Sequence, residues 1–310
     1  MMIHIDLITG FLGSGKTTFI KMYARYFLDK GQKIGILEND FGAVNVDVML
    51  LQELEEAGCG IETVAGACDK DCHFRRFKTK LIAMGMSGYD RVLIEPSGIF
   101  DVDEFFDSLH EPPLDQWYEI GNVIAIVDAG LEKELSKQSE YLLASQTANA
   151  GAVILSRTQL VPEEQINSII ARLDDAAAKF GCRRTFESSV IKKDWHSFTD
   201  EDFSEIAAVG YFNASYVKAF TEARDYGSLY FMNVPFSPEE LQQTAQKLLA
   251  DPECGKVFRV KGFIPYEGGW LELNATKESI RLAPIKNGQA IIIVIGEDLH
   301  KEKISTFFNQ

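Results

Sequence analysis

Gly10-Phe11-Leu12-Gly13-Ser14-Gly15-Lys16-Thr17-Thr18 is the stretch on which the fold turns. It fits the pattern G-x4-G-K-[ST], and its flanks agree with it. Upstream, Ile3-His-Ile-Asp-Leu-Ile alternates and then becomes apolar, as a buried strand does. Downstream, Lys16–Lys30 reads as a helix closed by Gly31. Strand, glycine-rich turn and helix form a cradle for phosphate. The glycines let backbone N–H groups converge on an anion, and the helix N-terminus adds the positive end of its dipole. Lys16 is expected to reach the β- and γ-phosphates, and the Thr17 hydroxyl to ligate Mg2+. Gly13, Ser14, Gly15 and Thr18 complete the expected nucleotide contacts.

Further along the chain, apolar strands recur, each followed by polar residues. They are Lys33–Leu37 before Glu38-Asn39-Asp40-Phe41-Gly42, Arg91–Ile94 before Glu95-Pro96-Ser97-Gly98, Val123–Val127 before Asp128, and Ala152–Leu155 before Ser156. Cys72–Met86 and Pro162–Phe180 read as helices. Strands apolar on both faces, alternating with helices, indicate an α/β fold with a mainly parallel sheet. Ligands of such sheets bind beyond the strand C-termini. Glu95 is therefore expected to hold Mg2+ through water, and Gly98 to let the backbone approach the γ-phosphate.

The pattern then changes. Thr199–Tyr226 reads as helical and connecting. Leu229–Val234, Lys256–Phe263, Trp270–Leu273, Ser279–Leu282 and Ala290–Ile295 read as strands, and Pro238–Ala250 and Leu299–Phe308 as helices. Strands in close succession suggest a smaller α+β domain. The expected division is a nucleotide-binding domain over 1–210, a linker over 211–227 and an α+β domain over 228–310.

Composition excludes other classes. The 310 residues are 46% hydrophobic and 25% charged, as in ordinary globular chains. No apolar run approaches the roughly 18 residues of a membrane span. Lys and Arg total 31 against 46 Asp and Glu, a formal net charge of -15. That balance argues against nucleic acid and anionic membrane as partners, since both need a basic face. Five cysteines do not suit a disulfide framework. With no export signal read at the N-terminus, the expected setting is a reducing cytoplasm.

Two of those cysteines carry a metal hypothesis. Cys68 and Cys72 are four apart, so one helical turn would put them on one face, with His73 beside them. Two thiolates and an imidazole suit zinc or a similar ion, with water, Asp69 or Asp71 completing four ligands. Cys59 reads equally as an extra ligand or a packed loop residue. Small buried thiols are the plain alternative for the pair. His4, His110, His196 and His300 are scattered and read as structural or solvated.

With these pieces the sequence resembles the CobW-type metallochaperone GTPases, relatives of the hydrogenase and urease nickel-insertion GTPases. The matching segments are Gly10–Thr18, Glu38–Gly42 with Asp47, Glu95–Gly98 and Arg259-Val-Lys-Gly-Phe263. The resemblance spans nearly the whole chain. It implies slow GTP hydrolysis coupled to handling a transition metal, most often zinc or cobalt, for a client metalloprotein that the sequence does not name. It makes Glu38–Asp47 the first nucleotide-sensing segment, with Glu38 joining Lys16 and Glu95 in catalysis, and Glu95–Gly98 the Mg2+/γ-phosphate motif.

The sequence departs from that family at two places. Where the family carries [NT]-K-x-D against guanine, this chain has Ser156-Arg157-Thr158-Gln159. Glutamine offers one acceptor where aspartate accepts two bonds, and losing a charge-assisted pair costs about 1.5–3 kcal/mol. A weaker preference for GTP/GDP over adenine nucleotides is expected, with Arg157 stacking its guanidinium plane on the base. The family's C-x-C-C is replaced by Gly66-Ala-Cys68-Asp-Lys-Asp-Cys72-His73. Two other readings stand beside the GTPase: a nucleotide-dependent metal- or partner-binding switch with negligible turnover, and an ATP-using phosphotransferase.

Overall fold

The computed structural model describes residues 2–11, 13–39, 47–64, 70–98, 102–132, 134–217, 226–277, 279–285 and 288–308. The chain forms two compact units, Met1–Thr221 and Glu222–Gln310.

In the first unit seven strands form one parallel sheet. They are β1 (Ile3–Gly10), β2 (Ile34–Asn39), β3 (Gly60–Val64), β4 (Arg91–Pro96), β5 (Tyr118–Asp128), β6 (Ala152–Ser156) and β7 (Val190–Ile191). Their order is β3-β2-β4-β1-β5-β6-β7. β1 lies between β4 and β5, where the chain stops adding strands on one side and starts on the other. A crevice therefore opens beyond the C-terminal end of β1, where Gly10 begins the phosphate loop.

Helices cover both faces. They are α1 (Lys16–Asp29), α2 (Asp47–Glu56), α3 (Lys70–Gly85), α4 (Val102–Leu109), α5 (Leu114–Trp117), α6 (Lys137–Ala148), α7 (Glu163–Lys179) and α8 (Asp200–Ile206). Phe19, Ile20, Tyr23 and Phe27 of α1 share a core with Ile8, Ile36, Leu93, Ile126 and Ile154. On the opposite face, Phe77 and Leu81 of α3, Leu143 of α6 and Leu173 of α7 pack with Leu7, Leu37, Ile94 and Leu155. The alternation of strand residues sorts the two cores.

The elements differ from the sequence reading at several places, three of them for plain physical reasons. β2 runs two residues past Leu37, because β3 and β4 pair with it on both sides as far as Asn39. α6 is buried from Gln138 to Ala148 except at Glu140, so it has no polar stripe to announce it. The helix expected over Thr199–Tyr226 is confined to Asp200–Ile206, and 218–225 lie outside the described residues. Beyond α8 the chain pairs with the sheet instead. Gly210 N donates to Asn122 Oδ1 at 2.8 Å, and Val123 N to Gly210 O at 3.0 Å.

The second unit holds β8 (Tyr226–Met232), α9 (Pro238–Ala250), β9 (Lys256–Tyr266), β10 (Gly269–Ala275), β11 (Ile280–Ile285), β12 (Ile291–Glu297) and α10 (Lys301–Ser305). Its five strands pair antiparallel in the order β11-β10-β9-β12-β8. Leu241, Ala245 and Leu248 of α9 and Ile304 of α10 pack on Val260, Ile264, Leu273 and Val294. A capping box between Ser237 and Glu240 starts α9. Among the described residues no helix is long and apolar enough to cross a membrane.

Candidate functional site: a phosphate loop and the strand ends around it

Gly10 and Gly15 fix the loop. Gly10 has φ 142° and Gly15 φ 103°, values L side chains rarely adopt. A Cβ at Gly10 would collide with the Ile126 carbonyl, and one at Gly15 would lie 2.7 Å from Cη2 of Trp195. Trp195 is thus the wall behind the loop. Nothing in the sequence pattern singled it out. Ser14 and Lys16 are buried, and Lys16 Nζ donates to Gly10 O at 3.1 Å. Thr17 and Thr18 open α1.

Thr17 Oγ1 donates to Glu95 Oε1 at 2.8 Å. Glu95 is the register partner of Glu38 across β4 and β2, and both carboxylates are buried. Ile36 and Leu93 belong to the core under α1, so alternation puts Glu38 and Glu95 on that side and Asn39 on the α3 side. The structure therefore brings Lys16, Thr17, Glu95 and Glu38 to one end of the sheet. The residues 40–46 between Asn39 and α2 lie outside the described residues, as does the Asp47 side chain.

Behind Glu95 the strand runs into Ser97 and Gly98. Ser97 N donates to Asn39 O at 2.7 Å, and Gln146 Nε2 donates to Gly98 O at 2.8 Å. Gln146 was not among the sequence candidates.

On the other side of β1, Ser156 ends β6 and Arg157 follows with φ 57°. The Arg157 guanidinium pairs with Asp128 and donates to Gly13 O at 3.1 Å. Asp128 Oδ1 also accepts from Gly130 N at 2.8 Å, so its carboxylate caps the end of β5. So Arg157, expected as a base-stacking residue, is held by its head group against the phosphate loop. Gln159 lies exposed in a 3-10 turn, Thr158–Leu160.

Of the expected transition-metal ligands, Cys72 is half-buried and His73 buried, in the first turn of α3. His73 Nε2 lies 2.8 Å from Asn39 Oδ1. Burial, then the Arg76 charge, push the His73 pKa down. Cys68 and Asp69 lie outside the described residues, as does the Asp71 side chain. Among the described residues no three His, Cys, Asp or Glu side chains cluster to hold a metal. Cys59 is buried, and desolvation, with Glu55 nearby, pushes its thiol up to about 12.

Comparison with known proteins adds the family context. Residues 4–181 match the CobW/HypB/UreG nucleotide-binding domain, and residues 229–310 match the cobalamin synthesis protein CobW C-terminal domain. The chain is 32% identical over 189 residues to the zinc chaperone YjiA of Escherichia coli, covering 56% of this chain and 56% of that protein. It is 30% identical over 166 residues to the zinc chaperone YeiR of the same organism, covering 53% and 49%. With the zinc-regulated GTPase metalloprotein activator 1 of Dictyostelium discoideum it shares 24% identity over 307 residues, covering 84% and 62%. The chain spans about half the length of the first two relatives.

Proposed function

The chain belongs to the CobW/HypB/UreG family of nucleotide-binding proteins, and from that premise we propose that it is a Mg2+-dependent GTP-binding and GTP-hydrolysing metallochaperone. The Thr17–Glu95 hydrogen bond carries the proposal. It joins a loop hydroxyl and a strand-end carboxylate where a nucleotide's terminal phosphates would lie. Oxygen donors of this kind suit a hard cation, so the residues fit Mg2+. Thr17 would ligate the ion and Glu95 would hold its water shell. An ion held there would supply positive charge against the terminal phosphates. Lys16 would exchange the Gly10 carbonyl for phosphate oxygens, and the loop's N–H groups would cradle the rest. Ser156, Arg157 and Gln159 would border the base, and Gly98 the γ-phosphate. Glu38 supplies a second carboxylate beside Glu95.

The cargo in this reading is zinc, or Co2+, taken by Cys68, Cys72 and His73. The names of the three relatives support zinc. So does His73. With the Asn39 carbonyl as acceptor, its Nε2 carries the proton and Nδ1 the lone pair that a divalent ion needs. Asn39 also accepts from Ser97 N, so one residue touches both α3 and the Glu95–Gly98 segment. That is a short route from nucleotide to metal. The partner receiving the metal would be a client metalloprotein.

Turnover of GTP and of ATP by the purified chain, with and without Mg2+ and zinc, tests the proposal. The expected result is slow, Mg2+-dependent phosphate release favouring GTP and lost in Lys16→Ala. Binding without turnover would make the protein a switch, and faster turnover of ATP would make it a phosphotransferase or ATPase.

A further inference from the structure

α6 is buried almost end to end, yet it presents a carboxamide to the nucleotide-facing end of the sheet. Gln146 is 1% exposed. Its Nε2 reaches the Gly98 carbonyl at 2.8 Å, across 48 residues of sequence. Its Oε1 is buried and accepts no hydrogen bond from the described residues. A buried acceptor left without a donor is costly, and methionine would fill the same space without that cost. A glutamine kept here points to a task other than packing.

The task is visible in what it holds. Among the described residues, hydrogen bonds from three directions fasten the segment from Glu95 to Gly98. Thr17 Oγ1 binds Glu95 Oε1 at 2.8 Å, Ser97 N binds Asn39 O at 2.7 Å, and Gln146 Nε2 binds Gly98 O at 2.8 Å. The first two hold the start and middle of the segment. The third restrains the Gly98 carbonyl, at the residue type with the widest backbone freedom. A backbone group that meets a phosphate oxygen must be aimed well, because hydrogen bonds weaken steeply as they bend.

We infer that Gln146 is a positioning residue: by holding the Gly98 carbonyl it aims the Gly98 N–H at the terminal phosphate of a bound nucleoside triphosphate and thereby sets the preference for triphosphate over diphosphate. The inference rests on the nucleotide-binding reading above. It adds a buried residue on a helix that does not itself touch nucleotide.

The test uses the full chain and two variants, Gln146→Met and Gln146→Glu. Affinities for GDP and for the β,γ-imido analogue of GTP are measured with Mg2+ present. Gln146→Met should keep its melting temperature and its GDP affinity, and lose triphosphate affinity by about 3- to 10-fold, the equivalent of one hydrogen bond. Gln146→Glu adds a readout that packing would not move. Its neutral carboxyl can donate to the Gly98 carbonyl, whereas its carboxylate can only repel it. Relative to wild type at each pH, its triphosphate preference should therefore be near normal at about pH 5.5 and reduced at about pH 8, because burial raises a glutamate pKa. Equal losses for GDP and the analogue, or a ratio unchanged in both variants, would overturn the inference. If Gln146→Met does not fold, the pH course of Gln146→Glu decides alone. Wild-type protein that binds neither nucleotide would overturn the nucleotide-binding reading and this inference with it.

Discussion

The Thr17 hydroxyl donates to the Glu95 carboxylate at 2.8 Å, so the first turn of α1 and the end of β4 meet at the foot of the phosphate loop. Glutamine at position 95 keeps an acceptor for Thr17 and removes the charge that would hold a metal's water shell. Glu95→Gln should lower GTP turnover by about 10- to 100-fold, the usual cost of losing an outer-shell partner. The Mg2+ concentration for half-maximal rate should rise, while GDP binding without Mg2+ stays as in wild type. An unaltered Mg2+ titration would remove Glu95 from the metal's surroundings.

The Arg157 guanidinium engages Asp128 and the Gly13 carbonyl, so in the proposed reading its stem, not its head, would lie under a base. Gln159 is exposed and would offer guanine one acceptor. GDP should therefore outcompete ADP by a modest factor, and Gln159→Asp should widen the gap by about 1–2 kcal/mol through charge-assisted bonds. Arg157→Ala should weaken GDP and ADP together, since it loosens the loop for both. If wild type already separates GDP from ADP by many orders of magnitude, another residue reads the base.

Asp6 sits fully buried in β1 and gathers four donors. Arg91 Nη1 reaches both of its oxygens at 2.6–2.7 Å, Tyr23 OH donates at 2.9 Å, and Asn122 donates from its backbone N at 2.8 Å and from Nδ2 at 3.3 Å. Burial, with the Asp6 charge beside it, pushes the Tyr23 hydroxyl pKa up, so Tyr23 stays a donor. Asp6→Ala leaves Arg91 buried without its counter-charge. Such a break costs about 3–5 kcal/mol. Denaturant unfolding of the nucleotide-binding unit should show that loss; a change within about 1 kcal/mol would mean that water or a shifted Arg91 replaces the pair.

How far the sequence revealed this arrangement depended on whether the signal was local. Gly10–Thr18 declared the loop because its glycines, lysine and hydroxyl are contiguous. Glu95 was legible because it follows a strand of the right length. The two antiparallel neighbours β9 and β10 were legible from their closeness in sequence. Asn39 stood in a quoted motif, but its meeting with His73 depends on β2 running to its very end between two partners. Gln146 was illegible because α6, buried along nearly all its length, has no amphipathic period. Trp195 was illegible because its partner is an absence, the missing side chain of Gly15.

Zinc binding gives the last test, and it carries a pH sign. Cys68, Cys72 and His73 must all be deprotonated at the coordinating atom, so affinity should fall as pH drops. His73 resists protonation further down than a free imidazole, because burial and Arg76 push its pKa below the ordinary value. In the metal-free protein the unfolded chain takes up this proton first. Stability should therefore fall as pH drops through about 6.5, the unfolded value, toward the lowered folded one. His73→Ala should flatten that part of the profile. Cys59 packs in the core on the α1 side of the sheet, across from the α3 side where His73 meets Asn39, and is not expected to join the ion. Cys59→Ser should keep wild-type zinc affinity, whereas Cys68→Ser/Cys72→Ser should lose it. Asn39→Ala releases the His73 ring and should cost about 10- to 100-fold in zinc affinity, as outer-shell losses do. Because Asn39 also holds Ser97, wild-type zinc affinity should differ between GDP and a non-hydrolysable GTP analogue, and zinc must shift nucleotide affinity by the same factor. Equal zinc binding by wild type and the double mutant would remove the site. A site that ignores the nucleotide in wild type would leave a structural metal on a P-loop protein and take away the coupling through Asn39.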